Sequence, residues 1–308
     1  MTWDGKRYYS LDRYLKQTFG EKIYKISLDG GFTCPNRDGT LGTRGCIFCS
    51  EGGSGDFASD SSLSVTEQIE DGIRLVEGKS NARKFIAYFQ AFTNTYAPVE
   101  KLNRIYREAL SHEKIIGLSI GTRPDCLPPG VLDLLTELNK IKPVFVELGL
   151  QTIHEDTAQR IRRGYPLSCF NQAVDKLHNR GINIVVHLIL GLPGESEEKM
   201  LESVRYLNRL PVDGVKLSLL HVLKNTDLGV LYEKDPFYVY ELDDYVSLVI
   251  RCIEELREDI VIHRLTGDGP RDLLIAPRWT LHKRKVLNEI ARRMKETDSR
   301  QGKRFHEQ

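Results

Sequence analysis

The chain has 308 residues, 40% of them hydrophobic, enough to bury a large core as one barrel-like unit with an extension. Its net charge of +1 excludes a chain that is strongly basic or acidic as a whole. No run of about 18 uncharged apolar residues occurs, so no membrane-spanning helix is expected. The segment Met1 to Arg7 lacks the apolar core of a signal peptide, and a cytoplasmic protein is the expectation. Thiols stay reduced there, so clustered cysteines point to metal or catalysis before disulfides.

Strand-like runs alternate with helix-like runs at a period of roughly 30 residues. Lys22 to Leu28 reads as the first strand, and a glycine-rich loop with three cysteines follows it. Val65 to Val76 reads as a helix, with Ser64 or Thr66 as its cap and Ile69, Ile73 and Val76 as its stripe. Lys84 to Gln90 is the second strand, Pro98 to Leu110 a helix, Ile115 to Ile120 the third strand and Pro129 to Leu138 a helix. Val144 to Leu150 is the fourth strand, with helical pieces from His154 to His178. Ile182 to Leu190 is the fifth, nearly all apolar as a strand buried on both faces should be. Helix Ser196 to Leu207 leads to the sixth strand, Gly214 to His221.

This alternation implies parallel strands joined by right-handed helical crossovers. Six units fall short of a closed barrel, so the expected fold is α/β, a partial, open (βα)6 barrel. Tyr232 to Tyr240, with Asp235-Pro236, breaks the period. The expected division is therefore a barrel over residues 1–235 and a small C-terminal domain over 236–308, in which helix Leu242 to Glu258 leads to His263 to Gly267.

In such folds the active site gathers at the C-terminal ends of the strands. The cysteine loop lies there, as do Gln90 to Thr95, Gly121 to Asp125, Gln151-Thr152 and Gly191 to Glu195. Cys34, Cys46 and Cys49 have the spacing C-x11-C-x2-C, with Phe48 directly before the last. Three thiolates leave a four-ligand centre one ligand short, and an open coordination position is where catalysis happens. A structural zinc knuckle is the other reading, but no histidine between Phe32 and Asp60 offers a fourth ligand.

These motifs together resemble a radical S-adenosylmethionine (SAM) enzyme. The long first gap departs from the commonest pattern of that superfamily, C-x3-C-x2-C. It resembles the catalytic subunit of Elongator and a related bacterial group. Thr122 to Asp125, Glu147 to Thr152, Arg163-Gly164-Tyr165, Gly191 to Gly194, Ile262 to Pro270 and Leu274 to Pro277 share the resemblance, which covers most of residues 20 to 290. It implies a [4Fe–4S] cluster on Cys34, Cys46 and Cys49. SAM would chelate the fourth iron and be cleaved reductively to a 5′-deoxyadenosyl radical. A reducing partner such as flavodoxin or ferredoxin is implied.

By position the resemblance assigns Gln151 and Arg163 to SAM, Arg163 as a bidentate clamp on its carboxylate. Gln90 and Thr93 stand where relatives carry a glycine-rich turn for the methionine amine. Gly121 replaces a glutamate found in relatives, whose role would pass to Glu147 or Thr122. His187 sits where relatives place a polar residue near the ribose, or is a satisfied core histidine. Arg123 meets an anion or pairs with Asp125 or Glu147. Glu195 is expected at a helix N-terminus, and Cys126 lies close enough to the site to matter, while Cys169 and Cys252 read as buried apolar thiols.

From Arg278 to Arg304 there are ten Lys or Arg against three Asp or Glu. Arg264, Arg271, Arg278, Lys283, Arg284 and Lys285 could form an anion surface, and Trp279 and His282 interleave with them as suits RNA. The Elongator resemblance implies tRNA, modified at C5 of the wobble uridine. Only about 70 residues follow the barrel, too few for Elongator's acetyltransferase domain. The expected reaction is thus a trimming of an existing side chain, such as carboxymethylaminomethyl to aminomethyl. A radical enzyme acting on a small, tetrapyrrole-like metabolite and a zinc-stabilised interaction module are the alternatives.

Overall fold

Apolar runs that read as buried strands become one curled sheet. The computed structural model describes residue 3 and residues 5–53, 55–56, 58–78 and 82–306; Met1, Thr2 and Asp4 of the segment read above lie outside these. The elements run α1 (Leu11–Phe19), β1 (Ile23–Leu28), α2 (Val65–Glu77), β2 (Lys84–Phe89), α3 (Val99–Ser111), β3 (Ile115–Thr122), α4 (Pro129–Asn139) and β4 (Val144–Gln151). They continue with α5 (Glu155–Arg160), α6 (Leu167–His178), β5 (Asn183–Leu190), α7 (Glu197–Leu207), β6 (Gly214–Leu219), β7 (Val222–Leu223) and α8 (Asp227–Lys234). The last are α9 (Leu242–Glu255), β8 (Val261–Arg264), β9 (Leu274–Ala276) and α10 (Lys283–Glu296).

Among the described residues the main sheet has seven strands in the order β1-β2-β3-β4-β5-β6-β8, every pair parallel. The partial α/β barrel expected from the sequence is present, with a seventh strand added. That strand, β8, lies beyond Tyr240 and is only four residues long, too short and too polar at His263-Arg264 to stand out as a buried run. The sixth strand ends two residues earlier than expected. His221 follows it, and Val222–Leu223 pairs antiparallel with Leu274–Ala276 in a separate ribbon.

Alternation divides each strand between two environments. Ile26, Phe85, Leu118, Val146, Val186 and Leu217 face outward under the helices and are fully or nearly fully buried. Each such side chain contributes roughly 1.5–3 kcal/mol by leaving water. Local signals fix the helices on that face: α2 begins with a capping box between Ser64 and Glu67. In α1, Ser10 caps the start and Gly20 ends it in the left-handed conformation.

The inward positions form layers along the barrel axis. At the N-terminal end Ile23, Ile86, Phe145 and Val185 meet Leu15 of α1, which closes that end with apolar side chains. One step up lie Lys25, Tyr88, Ser119, Glu147, His187 and Lys216, all within one hydrogen-bonded group. Above these the cavity opens. The far edge of the sheet is pinned by chain segments distant in sequence. Ile262 donates its N–H to Tyr9 O at 2.7 Å. The fully buried Gln301 accepts from Tyr9 N at 2.8 Å and donates to Arg257 O and Ile260 O.

Candidate active site

Leu28 ends β1, and the loop that follows carries the three cysteines, which line a cavity of about 570 Å³ at the C-terminal ends of the strands. That volume suits a cofactor together with part of a substrate. Two side chains fasten the loop. Asn36 donates Nδ2 to Arg162 O at 2.8 Å and to Cys46 Sγ at 3.7 Å, while its own carbonyl accepts from Gly45 N at 2.7 Å. Arg37 donates Nη2 to Cys49 O at 3.1 Å and Ser50 O at 2.5 Å, and its guanidinium lies over the Phe92 ring. Gly45 needs its glycine twice over: φ is +71°, and a Cβ would sit 2.9 Å from Arg37 Nε.

The donor set suits a metallocluster. Hydrogen bonding with Cys49 leads in pulling the Cys46 thiol down to about 7; burial opposes it, and Arg123, Asn36 and Arg162 add to the pull. A thiol so tuned ligates readily as thiolate. Among the described residues no three His, Cys, Asp or Glu side chains converge on one point as ligands of a single ion. Cys126 differs from the three. It is buried, and burial with the adjacent Asp125 charge pushes it up to about 12.

Gln90, Thr93, Glu147, Gln151, Arg163 and His187 all line the same cavity, with Arg264 and Lys283. Arg271, Arg284 and Lys285 are exposed and are not part of its lining. Gln151 ends β4 with φ +62° and accepts from Tyr165 OH at 3.2 Å. Thr93 is buried and ties the tip of β2 to the cysteine loop through its N–H to Thr33 O. Gln90 accepts from Ser27 Oγ at 3.3 Å.

For two residues the geometry differs from the expected role. Arg163 is 1% exposed, and its guanidinium donates to Tyr165 O, Leu150 O and Thr152 O at 3.0, 3.1 and 2.6 Å. A fork committed to three carbonyls and Glu155 is not free as a bidentate clamp on a carboxylate; it braces the segment whose carbonyls hold Asn36. Arg163→Lys keeps the charge and loses the fork. We expect it to cost about 2–4 kcal/mol in urea unfolding, and an unchanged midpoint would discard the bracing role. Glu147 is the other. Its Oε1 accepts from Lys25 and Ser119 at 2.6 Å each, and its Oε2 from His187 at 2.7 Å and from Lys216. Its acceptor positions are taken, so it serves as a buried counter-charge instead of a cofactor ligand.

The cations around Glu147 set its charge. Burial pushes the carboxyl up, but Lys216, Lys25 and His187 pull harder and hold it well below the usual carboxylate range. Lys216 moves down as well, to about 7, because it is desolvated and faces Lys25 and Arg264 besides its one carboxylate. His187 is pushed down to about 4, chiefly by burial and then by Lys216. Arg123 pairs with Asp125 at 2.9 and 2.7 Å and donates to Arg163 O. Glu195 does not cap α7: Ser196 does, and Glu195 accepts from Thr152 Oγ1 instead.

Lys25, Lys216 and Tyr88 went unremarked in the sequence. Lys25 and Lys216 interrupt apolar runs, all three stand at inward-facing steps of their strands, and that parity was the available signal.

A parallel half-barrel with a three-thiol loop at its first strand tip defines a cluster-dependent α/β enzyme. The chain belongs to the radical SAM superfamily: residues 39–207 match the model of that superfamily, and residues 212–296 match the Radical_SAM C-terminal domain. Members use a [4Fe–4S] cluster and S-adenosylmethionine. The chain is 45% identical over 300 residues to the uncharacterized protein YtqA of Bacillus subtilis, covering 97% of this chain and 93% of that one. Protein YhcC of Escherichia coli is 38% identical over 283 residues, covering 92% and 90%. Human Elongator complex protein 3 is 28% identical over 180 residues, 56% of this chain and 32% of its own. Among solved structures the fold resembles Methanocaldococcus infernus Elp3, with a TM-score of 0.69 at 16% identity; the match covers 91% of this chain and 64% of that one.

When bound, the cluster supplies the electron that cleaves the SAM sulfonium. Cys34, Cys46 and Cys49 would hold it, and Asn36 and Arg37 fix the loop that presents them. Enzymes of this superfamily commonly take that electron from a reducing partner such as flavodoxin. Among the described residues no helix is long and apolar enough to cross a membrane.

Proposed function

We propose that this enzyme modifies the C5 side chain of the wobble uridine of tRNA, for example trimming carboxymethylaminomethyl to aminomethyl. The similarity to Elongator complex protein 3 through the barrel is the observation that carries this reading. The cation distribution supports it: Lys283 lines the cavity, and Arg284 and Lys285 continue exposed from it along the first turn of α10. Exposed cations at a cavity mouth suit RNA phosphates, and their contribution falls as salt rises.

Mass spectrometry of tRNA nucleosides from cells lacking the protein tests this reading. We expect one C5-substituted uridine to accumulate and its product to vanish; an unchanged profile discards the tRNA reading. Charge reversal at Arg284 and Lys285 gives a second check. It is expected to weaken tRNA binding about tenfold or more and to flatten its salt dependence. Unaltered binding and activity would favour a small-molecule substrate.

A further inference from the structure

Two carboxylates of the cavity wall, Glu147 on β4 and Asp268 beyond β8, are each shared by two cations. Glu147 is bonded by Lys25 at 2.6 Å and by Lys216. Asp268 is bonded by Lys283 at 2.9 Å and by Arg264 at 3.3 Å. Four basic side chains thus face two acids. Two of the four stand side by side, since Lys216 and Arg264 occupy partnered positions on β6 and β8. The Lys216 side chain is 8% exposed, and an ammonium so buried is ordinarily matched by a carboxylate of its own. Glu147 cannot be that group in full, because Ser119, His187 and Lys25 occupy its other acceptor positions.

A second feature of the same wall points the same way. His221, just past β6, lines the cavity, and its Nε2 is buried without a hydrogen-bond partner. A buried unpaired nitrogen calls for a partner that the described residues do not supply. The thiols stand on a loop beyond the strand tips, where Ile47 and Phe48 pack with Leu220 and Val222, whereas Lys216 lies deeper, one step above the apolar floor of the barrel. The cavity therefore has a metal-binding end and a cationic end.

We propose that the cationic end is an anion subsite that takes a carboxylate carried by the substrate, with Lys216 and Arg264 supplying charge and His221 a hydrogen bond. This assignment rests on the tRNA reading above and specifies which side-chain group the cavity recognises. A carboxylate at the tip of a slim side chain reaches Lys216 inside the barrel. A backbone phosphate stays at the rim, where the side chain of Lys283 is 46% exposed.

Equilibrium binding tests the subsite with the full chain, its cluster reconstituted and SAM withheld so that nothing turns over. The probes are two anticodon stem-loops, one with carboxymethylaminomethyluridine and one with its neutral carboxamide isostere. The wild-type protein is expected to bind the carboxylate loop at least about tenfold more tightly. Lys216→Met and Arg264→Met are expected to erase that preference while keeping iron content and salt-dependent binding of the carboxamide loop. Equal affinity of the wild type for the two loops overturns the subsite alone. So does a Lys216→Met protein that weakens both loops equally, which would place a phosphate there. Failure of either loop to bind in a salt-dependent way overturns the tRNA reading, and the subsite falls with it.

Discussion

A Cys46→Ala protein is expected to lose its iron and, with it, reductive cleavage of S-adenosylmethionine, by at least about 10³-fold, or over about 4 kcal/mol of barrier. The Cys46 thiol is pulled down to about 7. It bonds with Cys49, accepts from Asn36 Nδ2 and lies within the field of Arg123 and Arg162. Removing it leaves two protein thiolates for a cluster that needs three. Iron and sulfide analysis after anaerobic reconstitution, with the visible absorbance of the cluster, reads the loss directly. Cys126→Ala is the matched control, since that buried thiol is pushed up to about 12 and is a poor ligand at neutral pH. Full iron in the Cys46→Ala protein would refute the ligand assignment, and loss of iron in both variants would reduce it to an effect on folding.

The second large effect is expected at Glu147. Its side chain is fully buried and is bonded by two ammonium groups, an imidazole and a hydroxyl. Glu147→Gln leaves Lys25 and Lys216 facing each other without a counter-charge, a loss of about 3–5 kcal/mol by urea unfolding. Replacing Glu147, Lys25 and Lys216 together with methionine removes both charge signs, so the triple variant is expected to be more stable than Glu147→Gln alone. The acid limb carries a further signature. A carboxyl held below its unfolded value stabilises fully above about pH 4.5 and loses that contribution as pH falls through the depressed value. Glu147→Gln should flatten that part of the stability profile. A stability change under about 1 kcal/mol would mean that water reaches the cluster and the layer is not dry.

The barrel was legible because strands buried on both faces are written as apolar runs, as in Ile184 to Leu190, and their spacing excludes most other folds. The tips were legible because glycines and polar residues collect where such runs stop. The charged layer was not. Lys25 and Lys216 interrupt apolar runs and read as solvent positions, and only the curl of the sheet turns them inward toward one carboxylate. Spacing also carries no information on whether a side chain's donors are already used. Gln151 and Arg163 stand twelve residues apart, yet Gln151 faces open cavity while Arg163 is occupied by three carbonyls. Strand β8 escaped notice because it takes its place in the sheet from pairing with β6 and from the Tyr9 carbonyl, not from its own composition.

That last contact bears on how the molecule reaches its native state. Gln301 holds Tyr9 across a separation of 292 residues, and Leu15, eight residues into the same segment from Arg7, closes the apolar end of the barrel. Contacts of such range form only after nearly the whole intervening chain has ordered, because the entropy of closing the loop is lost before any contact offsets it. The central strands, each beside its sequence neighbour, can assemble early. The seam between residue 9 and residue 301 would then be the latch that sets last, and slow refolding should be traced to it before the barrel itself.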